Sequence, residues 1–407
     1  MTMPAVLRTR AIILGLTLLA TACISPVDYG PIPHSQYVED KRCDPEPSEA
    51  TGSDETPYFV VTTRLPDCQN STITLTNHRG DKTRYGRFGD PRIGEKQTGN
   101  DKLPVPFTIS NEDQWWSALS KSMDNREGRA LVYVHGYRET FRITSKDTTQ
   151  IARLTGFTGP VIQYSWPSQG ALLKYAVDET NMYWDERNFR RFLMRLAEQS
   201  WTREIVLISH SLGARLIIPA VEYVDKNSTN ADSSNISNII LAAPDIDRQI
   251  FEREIAEEIL SERRIRNNRR IVVYASAKDK AIGLSYRIHG YPRLGSPDCF
   301  DPFKKAALEQ MGHPGRCYAT LSSADMKPEK SGLTLIDTSA ISEGATGHSD
   351  FLRSAAACLD FASVVNGERN RRQGRSPTHL PHVFTLDAVP KDEEPEHDTI
   401  CRRRPFD

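Results

Sequence analysis

The chain has 407 residues, of which 26% are charged, with 52 Lys and Arg set against 53 Asp and Glu. That length holds one large α/β domain plus appendages, and the balanced charge argues against a nucleic-acid binder, which carries a clustered basic excess. No stretch beyond residue 20 is long and apolar enough to span a bilayer as a helix.

Residues 1–22 read as an export signal. Arg8 and Arg10 precede an apolar run from Ala11 to Ala20 that is too short for a spanning helix. Leu18-Leu19-Ala20-Thr21-Ala22-Cys23 resembles a bacterial lipobox, which would lipidate Cys23 and make it the new N-terminus. Ala20-Thr21-Ala22 also fits ordinary signal cleavage, with a soluble secreted product as the alternative. Residues 23–57, rich in Pro, Ser, Asp and Glu, read as a flexible tether. Six more cysteines follow: Cys43, Cys68, Cys299, Cys317, Cys358 and Cys401. An even number in an exported chain favours disulfides. Nearness in sequence suggests Cys43–Cys68 and Cys299–Cys317, with free thiols as the alternative. No C-x-x-C or H-x-x-x-H spacing points to a metal site.

A first strand is expected at Tyr58–Thr63, then an irregular stretch over 66–110 with short strands, then a helix over Asp113–Ser122. From Ala130 strands and helices alternate. Strands are expected at Ala130–Val134, Val161–Tyr164, Glu204–Ile208, Asn238–Leu241, Ile271–Tyr274 and, last, Leu333–Ile336. Helices are expected at Thr140–Leu154, around Phe189–Ala197, after Ser211, and around Phe251–Ile259. The alternation implies an α/β fold with a mostly parallel sheet covered on both faces, and function beyond the carboxyl ends of its strands. Pro219 should kink or stop the helix after Ser211. Residues 286–326 read as an irregular insertion and 361–407 as a polar extension beyond a domain of residues 58–360.

Leu207-Ile208-Ser209-His210-Ser211-Leu212-Gly213 is a strand that turns sharply into a helix with a serine at the turn. That is the setting of a nucleophile elbow, whose neighbours two residues either side must be small; Ser209 and Gly213 are. A serine hydroxyl needs a base to take its proton, usually a histidine oriented by a buried carboxylate. The chain offers Ser211, Asp279 and His348 in that order, each just after a strand, which is the order of α/β-hydrolases. Asp245 and Asp247, after the preceding strand, are alternative acids; their other reading is turn and helix capping. Asp337 reads as structural. His210 should point away from Ser211, and His289 and His313 read as surface residues. His135-Gly136-Tyr137 follows an inner strand, so the backbone N–H groups of Tyr137 and Leu212 are the candidate oxyanion hole. Trp166-Pro167-Ser168 either walls the pocket or packs the core. The basic run Arg263, Arg264, Arg266, Arg269 and Arg270 reads as a solvated turn, or else as a contact for anionic lipid headgroups.

Taken together, Tyr133-Val134-His135-Gly136-Tyr137, Ser165-Trp166-Pro167-Ser168, Ser209-His210-Ser211-Leu212-Gly213, Leu241-Ala242-Ala243-Pro244-Asp245-Ile246-Asp247, Tyr274-Ala275-Ser276 and Gly347-His348 resemble a bacterial α/β-hydrolase family, domain of unknown function 900. Thr62-Thr63-Arg64 is similar to its opening strand. The resemblance covers roughly residues 58–355. It implies the α/β-hydrolase fold and a serine triad, carried here by Ser211, Asp279 and His348, but no substrate. The expected function is a lipid-anchored serine hydrolase of the bacterial cell envelope, facing the periplasm, that acts on a small acyl ester or lipid without metal or organic cofactor. The competing reading is a non-catalytic envelope protein that uses the fold for binding or assembly.

Overall fold

Runs such as Leu131-Val132-Tyr133-Val134 and Ile205-Val206-Leu207-Ile208 are apolar on both faces, as strands buried inside a parallel sheet must be. Alternate residues feed two cores. Val132, Val134, Ile205, Leu207, Leu241 and Val273 join one apolar cluster. Leu131, Tyr133, Val206, Ile208, Ile240 and Val272 join another on the opposite face. The computed structural model describes residues 57–68, 73–90, 105, 107–124, 127–228, 235–320, 331–342, 346–368 and 374–388. The expectations about the export signal, Cys23, the tether, Cys43 and Cys401 lie outside the described residues.

The strands are β1 (Tyr58–Asp67), β2 (Thr74–Phe88), β3 (Phe107–Ser110), β4 (Arg129–Val134), β5 (Val161–Ser165), β6 (Glu204–His210), β7 (Ile236–Ala242), β8 (Arg270–Ala275), β9 (Leu333–Asp337), β10 (Arg375–Pro377) and β11 (Val383–Leu386). They form one sheet in the order β10-β11-β9-β8-β7-β6-β4-β5-β1-β2-β3. From β11 across to β1 every pairing is parallel; β10, β2 and β3 run antiparallel at the two edges. The principal helices are α1 (Glu112–Asp124), α2 (Phe141–Thr155), α3 (Tyr175–Ala197), α4 (Ala214–Asn227), α5 (Lys280–His289), α6 (Pro302–Gln310) and α7 (Ala355–Val365). None of the described helices is long and apolar enough to cross a membrane.

Several expectations change. The stretch expected to be irregular contains β2, a single strand of 15 residues. β9 is not the last strand: β11 adds in parallel beyond it, so part of the polar extension belongs to the sheet. α4 does not stop at Pro219 but runs through it to Asn227. Pro219 stands early in that helix, where the only carbonyl deprived of its donor is that of Arg215, next to the N-terminus. The helix expected around Phe251 is present from Arg248 to Ile259, with a wider turn over Phe251–Ile255. The basic run is not a solvated turn throughout: Arg269 and Arg264 are buried against Asp225.

Cys299 and Cys317 form a disulfide with Cα atoms 4.8 Å apart. Cys68 and Cys358 are disulfide-bonded as well.

Candidate active site

Val134, Ser209, Leu241, Val273 and Leu335 lie side by side across β4, β6, β7, β8 and β9. A few residues beyond that row each chain leaves the sheet at the same edge. Ser211, Tyr137, Asp245 and Asp279 therefore emerge together, although up to 142 positions of sequence separate them (279 minus 137). Ser211 sits at φ 51, a left-handed backbone that strains any residue with a Cβ. The tightness of the turn is visible at its glycines. A Cβ on Gly213 would lie 2.5 Å from the His135 carbonyl oxygen, and one on Gly136 would lie 2.9 Å from Ser211 Cβ.

Asp279 and His348 are brought together by a docked loop. The Lys280 N–H donates to the Thr346 carbonyl at 2.9 Å, and Gly347, at φ 67, lies against the Lys278 carbonyl where a side chain would collide. His348 Nδ1 then donates to Asp279 Oδ2 at 2.7 Å. The other oxygen, Oδ1, caps α5 by accepting from the N–H groups of Ala281 (2.9 Å) and Ile282 (3.0 Å). Burial opposes charging the His348 ring, but Asp279, with smaller help from Glu139 and Asp245, outweighs it and raises the pKa above 6.5. Ser211 and His348 line one cavity, and no hydrogen bond joins them among the described residues.

Asp245 does not serve the histidine. Its carboxylate accepts from Arg293 Nε (2.7 Å), Ser285 Oγ (2.6 Å) and the Tyr175 hydroxyl, with Arg215 at 3.4 Å. Burial would raise its pKa, yet Arg293 and Arg215 hold it down at about 2. Asp247 caps the next turn through Gln249 and Ile250. Asp337 accepts from Ser339 and the Tyr318 hydroxyl, as a structural residue would. Trp166 is fully buried, stacked 4.8 Å from the His135 ring, and so packs rather than walls the cavity.

In the turn after β4, three amides are already engaged: Gly136 to Glu139 Oε1 (3.2 Å), Arg138 to Asp178 Oδ2 (3.0 Å) and Glu139 to Ser168 Oγ (3.0 Å). The Tyr137 N–H, between them, has no protein acceptor among the described residues. Leu212 lies in the first turn of a helix, where N–H groups have no intrahelical partner.

Three site residues escaped the sequence reading. His210 does not point away: its ring lies 4.6 Å from that of His348 and lines the cavity. Its Nδ1 is 2.7 Å from Glu139 Oε1, and its Nε2 is 3.0 Å from the His348 carbonyl oxygen. The ring thus bridges the Glu139 carboxylate and the His348 carbonyl, one on each nitrogen. Burial works against the Glu139 carboxylate, but His210 pulls its pKa below the usual 4.5. This pair clamps the His348 loop to the turn that carries the Tyr137 amide. Arg64, fully buried, holds the same turn from behind, donating to the Glu139 carbonyl (2.7 Å), Ser165 Oγ (2.8 Å) and the Ser168 carbonyl (3.2 Å). An arginine inside an apolar strand was the signal available for Arg64. Nothing in the sequence marked Glu139. His289, expected at the surface, is half-buried and bonded to Glu179 at 3.1 Å; His313 stacks on His379.

The cavity holds about 700 Å³, within the range of small-molecule sites. It can seat an acyl group between the hydroxyl of Ser211 and the carboxylate-oriented imidazole of His348.

Comparison with known proteins gives a matching picture. An alpha/beta hydrolase family of unknown function, DUF900, matches residues 110–358. Among solved structures, a predicted CIB-like hydrolase from Thermoplasma acidophilum is similar over 71% of this chain and 93% of its own, at 11% identity and a TM-score of 0.29. Phospholipase PlaB from Legionella pneumophila is similar over 41% of this chain and 44% of its own, at 14% identity and a TM-score of 0.23. No curated protein matches. With the family match spanning most of the sheet and every strand end at the site, the chain belongs to the alpha/beta hydrolase family DUF900 and has its α/β fold.

Proposed function

We propose that the protein is a serine hydrolase that cleaves carboxylic esters through an acyl-enzyme on Ser211. The observation that carries this reading is the 2.7 Å bond from His348 Nδ1 to Asp279, which leaves Nε2 as the basic nitrogen beside the cavity that Ser211 lines. The hydroxyl attacks the acyl carbon while His348 takes its proton. Negative charge develops on the carbonyl oxygen, where the Tyr137 and Leu212 amides stabilise it. The alcohol leaves with the proton from His348, and water releases the acid by the reverse path. Nucleophile–base hydrogen bonds are often long before substrate binds and tighten in the complex.

The disulfides and the lipobox-like segment support an exported protein anchored in the cell envelope through Cys23. A fluorophosphonate probe added to intact cells is expected to label Ser211 in the membrane fraction, on a chain beginning at lipid-modified Cys23. Absence of Ser211 labelling favours the non-catalytic reading; labelled chains with an unmodified Cys23 remove the anchor.

His210 acts on His348 by position. Glu139→Gln keeps the shape but removes the carboxylate that anchors His210 Nδ1 at 2.7 Å. Turnover should fall by roughly 10²-fold, as for a reacting group misplaced by about 1 Å. Because Glu139 also helps raise the His348 pKa, the acid limb of the rate profile should move to lower pH. An unshifted limb with unchanged turnover would remove the clamp.

A further inference from the structure

Resting on the serine-hydrolase reading, the walls of the cavity indicate which ester it takes. Three cations lie at its lining directly beside the reacting groups along the chain. Arg138 follows Tyr137, Lys280 follows Asp279, and Arg353 ends the short helix Asp350–Arg353 that begins two residues after His348. Neighbouring Cα atoms are about 3.8 Å apart, so chain connectivity alone keeps Arg138 and Lys280 at the site. All three are exposed and none is ion-paired among the described residues. Arg138 is held at φ 64, a conformation that strains a residue with a Cβ, with its N–H fixed on Asp178.

The carboxyls of the lining do not cancel this charge. Glu139 is matched by His210, and Asp245 by Arg293 and Arg215. Asp147, pushed up to about 8 by burial first and by Glu139 next, is the one lining acid that also feels Arg353, and it holds its charge least readily of the three. Aliphatic side chains stand at the rim beside them. Ile143, Leu172, Leu284 and Ile288 line the cavity with 43%, 60%, 51% and 55% of their surfaces exposed. A cluster of exposed aliphatic side chains around one opening marks a surface that something apolar covers.

We propose that the substrate is an amphiphilic acyl ester whose hydrocarbon chain lies along the aliphatic rim and whose phosphate is held by Arg138, Lys280 and Arg353. Arginine's planar fork matches phosphate oxygens two at a time. In the reaction Ser211 Oγ bonds to the acyl carbon and its proton passes to His348. The C–O bond to the phosphate-bearing alcohol breaks, and the alcohol leaves with that proton. Water then attacks the acyl-enzyme, restoring the hydroxyl and releasing the fatty acid; no other reactant enters.

The test compares kcat/KM of the full chain on lauroyl glycerol phosphate and lauroyl glycerol, which differ only by the phosphate, and on p-nitrophenyl laurate and butyrate. All are kept monomeric, with lauroyl glycerol phosphate also presented in vesicles. Each contact of this kind is worth about tenfold, so phosphate and laurate should each be preferred by about tenfold or more. The phosphate preference should shrink at about 1 M salt, where the screening length is about 3 Å. Arg138→Gln with Arg353→Gln should reduce the phosphate ratio about tenfold, and Leu284→Ser with Ile288→Ser the laurate ratio by a similar factor. Faster cleavage in vesicles makes a bilayer lipid the source, and faster cleavage of monomers a soluble ester. Ratios near one, with butyrate turned over and Ser211 labelled, overturn this inference and leave the hydrolase standing. No turnover of any ester overturns it too, and missing probe labelling then takes the hydrolase reading with it.

Discussion

Replacing Ser211 by alanine is expected to lower ester turnover by about 10⁴- to 10⁶-fold, the range found when a serine nucleophile is removed. The substitution is clean for a structural reason. Position 211 has φ 51, and alanine bears the same Cβ in the same strained turn. Its one exchange is hydroxyl for hydrogen, and the backbone contacts stay, including Asp245 N–H to the residue 211 carbonyl at 3.1 Å. The thermal midpoint should therefore match that of the unsubstituted protein. What remains would be the catalysis supplied by the Tyr137 and Leu212 amides and by binding alone. Turnover within tenfold of the original, in protein free of contaminating esterase, would move the nucleophile elsewhere and end the assignment.

Asp279→Asn should cost about 10⁴-fold in kcat, because an amide no longer holds the imidazole in its working tautomer or balances the imidazolium that forms. Asp279 has two tasks, and asparagine separates them. As a helix cap it is as good as aspartate, so Ala281 and Ile282 keep their acceptor and α5 its start. The charge beside His348 is lost. The base works only when neutral, so activity falls as pH drops through the His348 pKa. Asp279 is the largest influence raising that pKa, and burial, the influence lowering it, then prevails. The acid limb should shift to lower pH while the plateau collapses. A plateau near that of the unsubstituted protein would show that another carboxylate serves the histidine. Asp245 is poorly placed to do so, since both its oxygens are committed to Arg293, Ser285 and Tyr175.

The sheet and the site differ in how far they could be read from the chain. Buried parallel strands announce themselves as unbroken aliphatic runs, so β4 to β9 stood out, and each carried a motif at its carboxyl end. β2 did not: it is an edge-side antiparallel strand, largely half-exposed, whose polar Asn77, Arg79 and Asp81 interrupt any aliphatic run. β11 was hidden by its shortness, with only Val383, Phe384, Thr385 and Leu386 to mark it. The pairing of Asp279 with His348 was legible because chain order and strand ends together leave few partners. The pairing of Glu139 with His210 was not, because it joins a turn to the end of β6, 71 positions away, through one hydrogen bond. Buried charge of this kind follows no period. Its positions are set by which backbone groups need satisfying once the fold exists.

The guanidinium of Arg64 is the rear brace of the turn that carries Tyr137, and it comes from a strand that precedes the segment shared with the family. A fragment cut at residue 110 would lack that brace and strip β5 of its outer neighbour, leaving the Glu139 carbonyl and Ser165 hydroxyl without their buried donor. The smallest unit that keeps the sheet around the cavity whole is accordingly larger than the shared segment: it starts no later than Tyr58 and, with β11 closing the far side of β9, runs to Leu386.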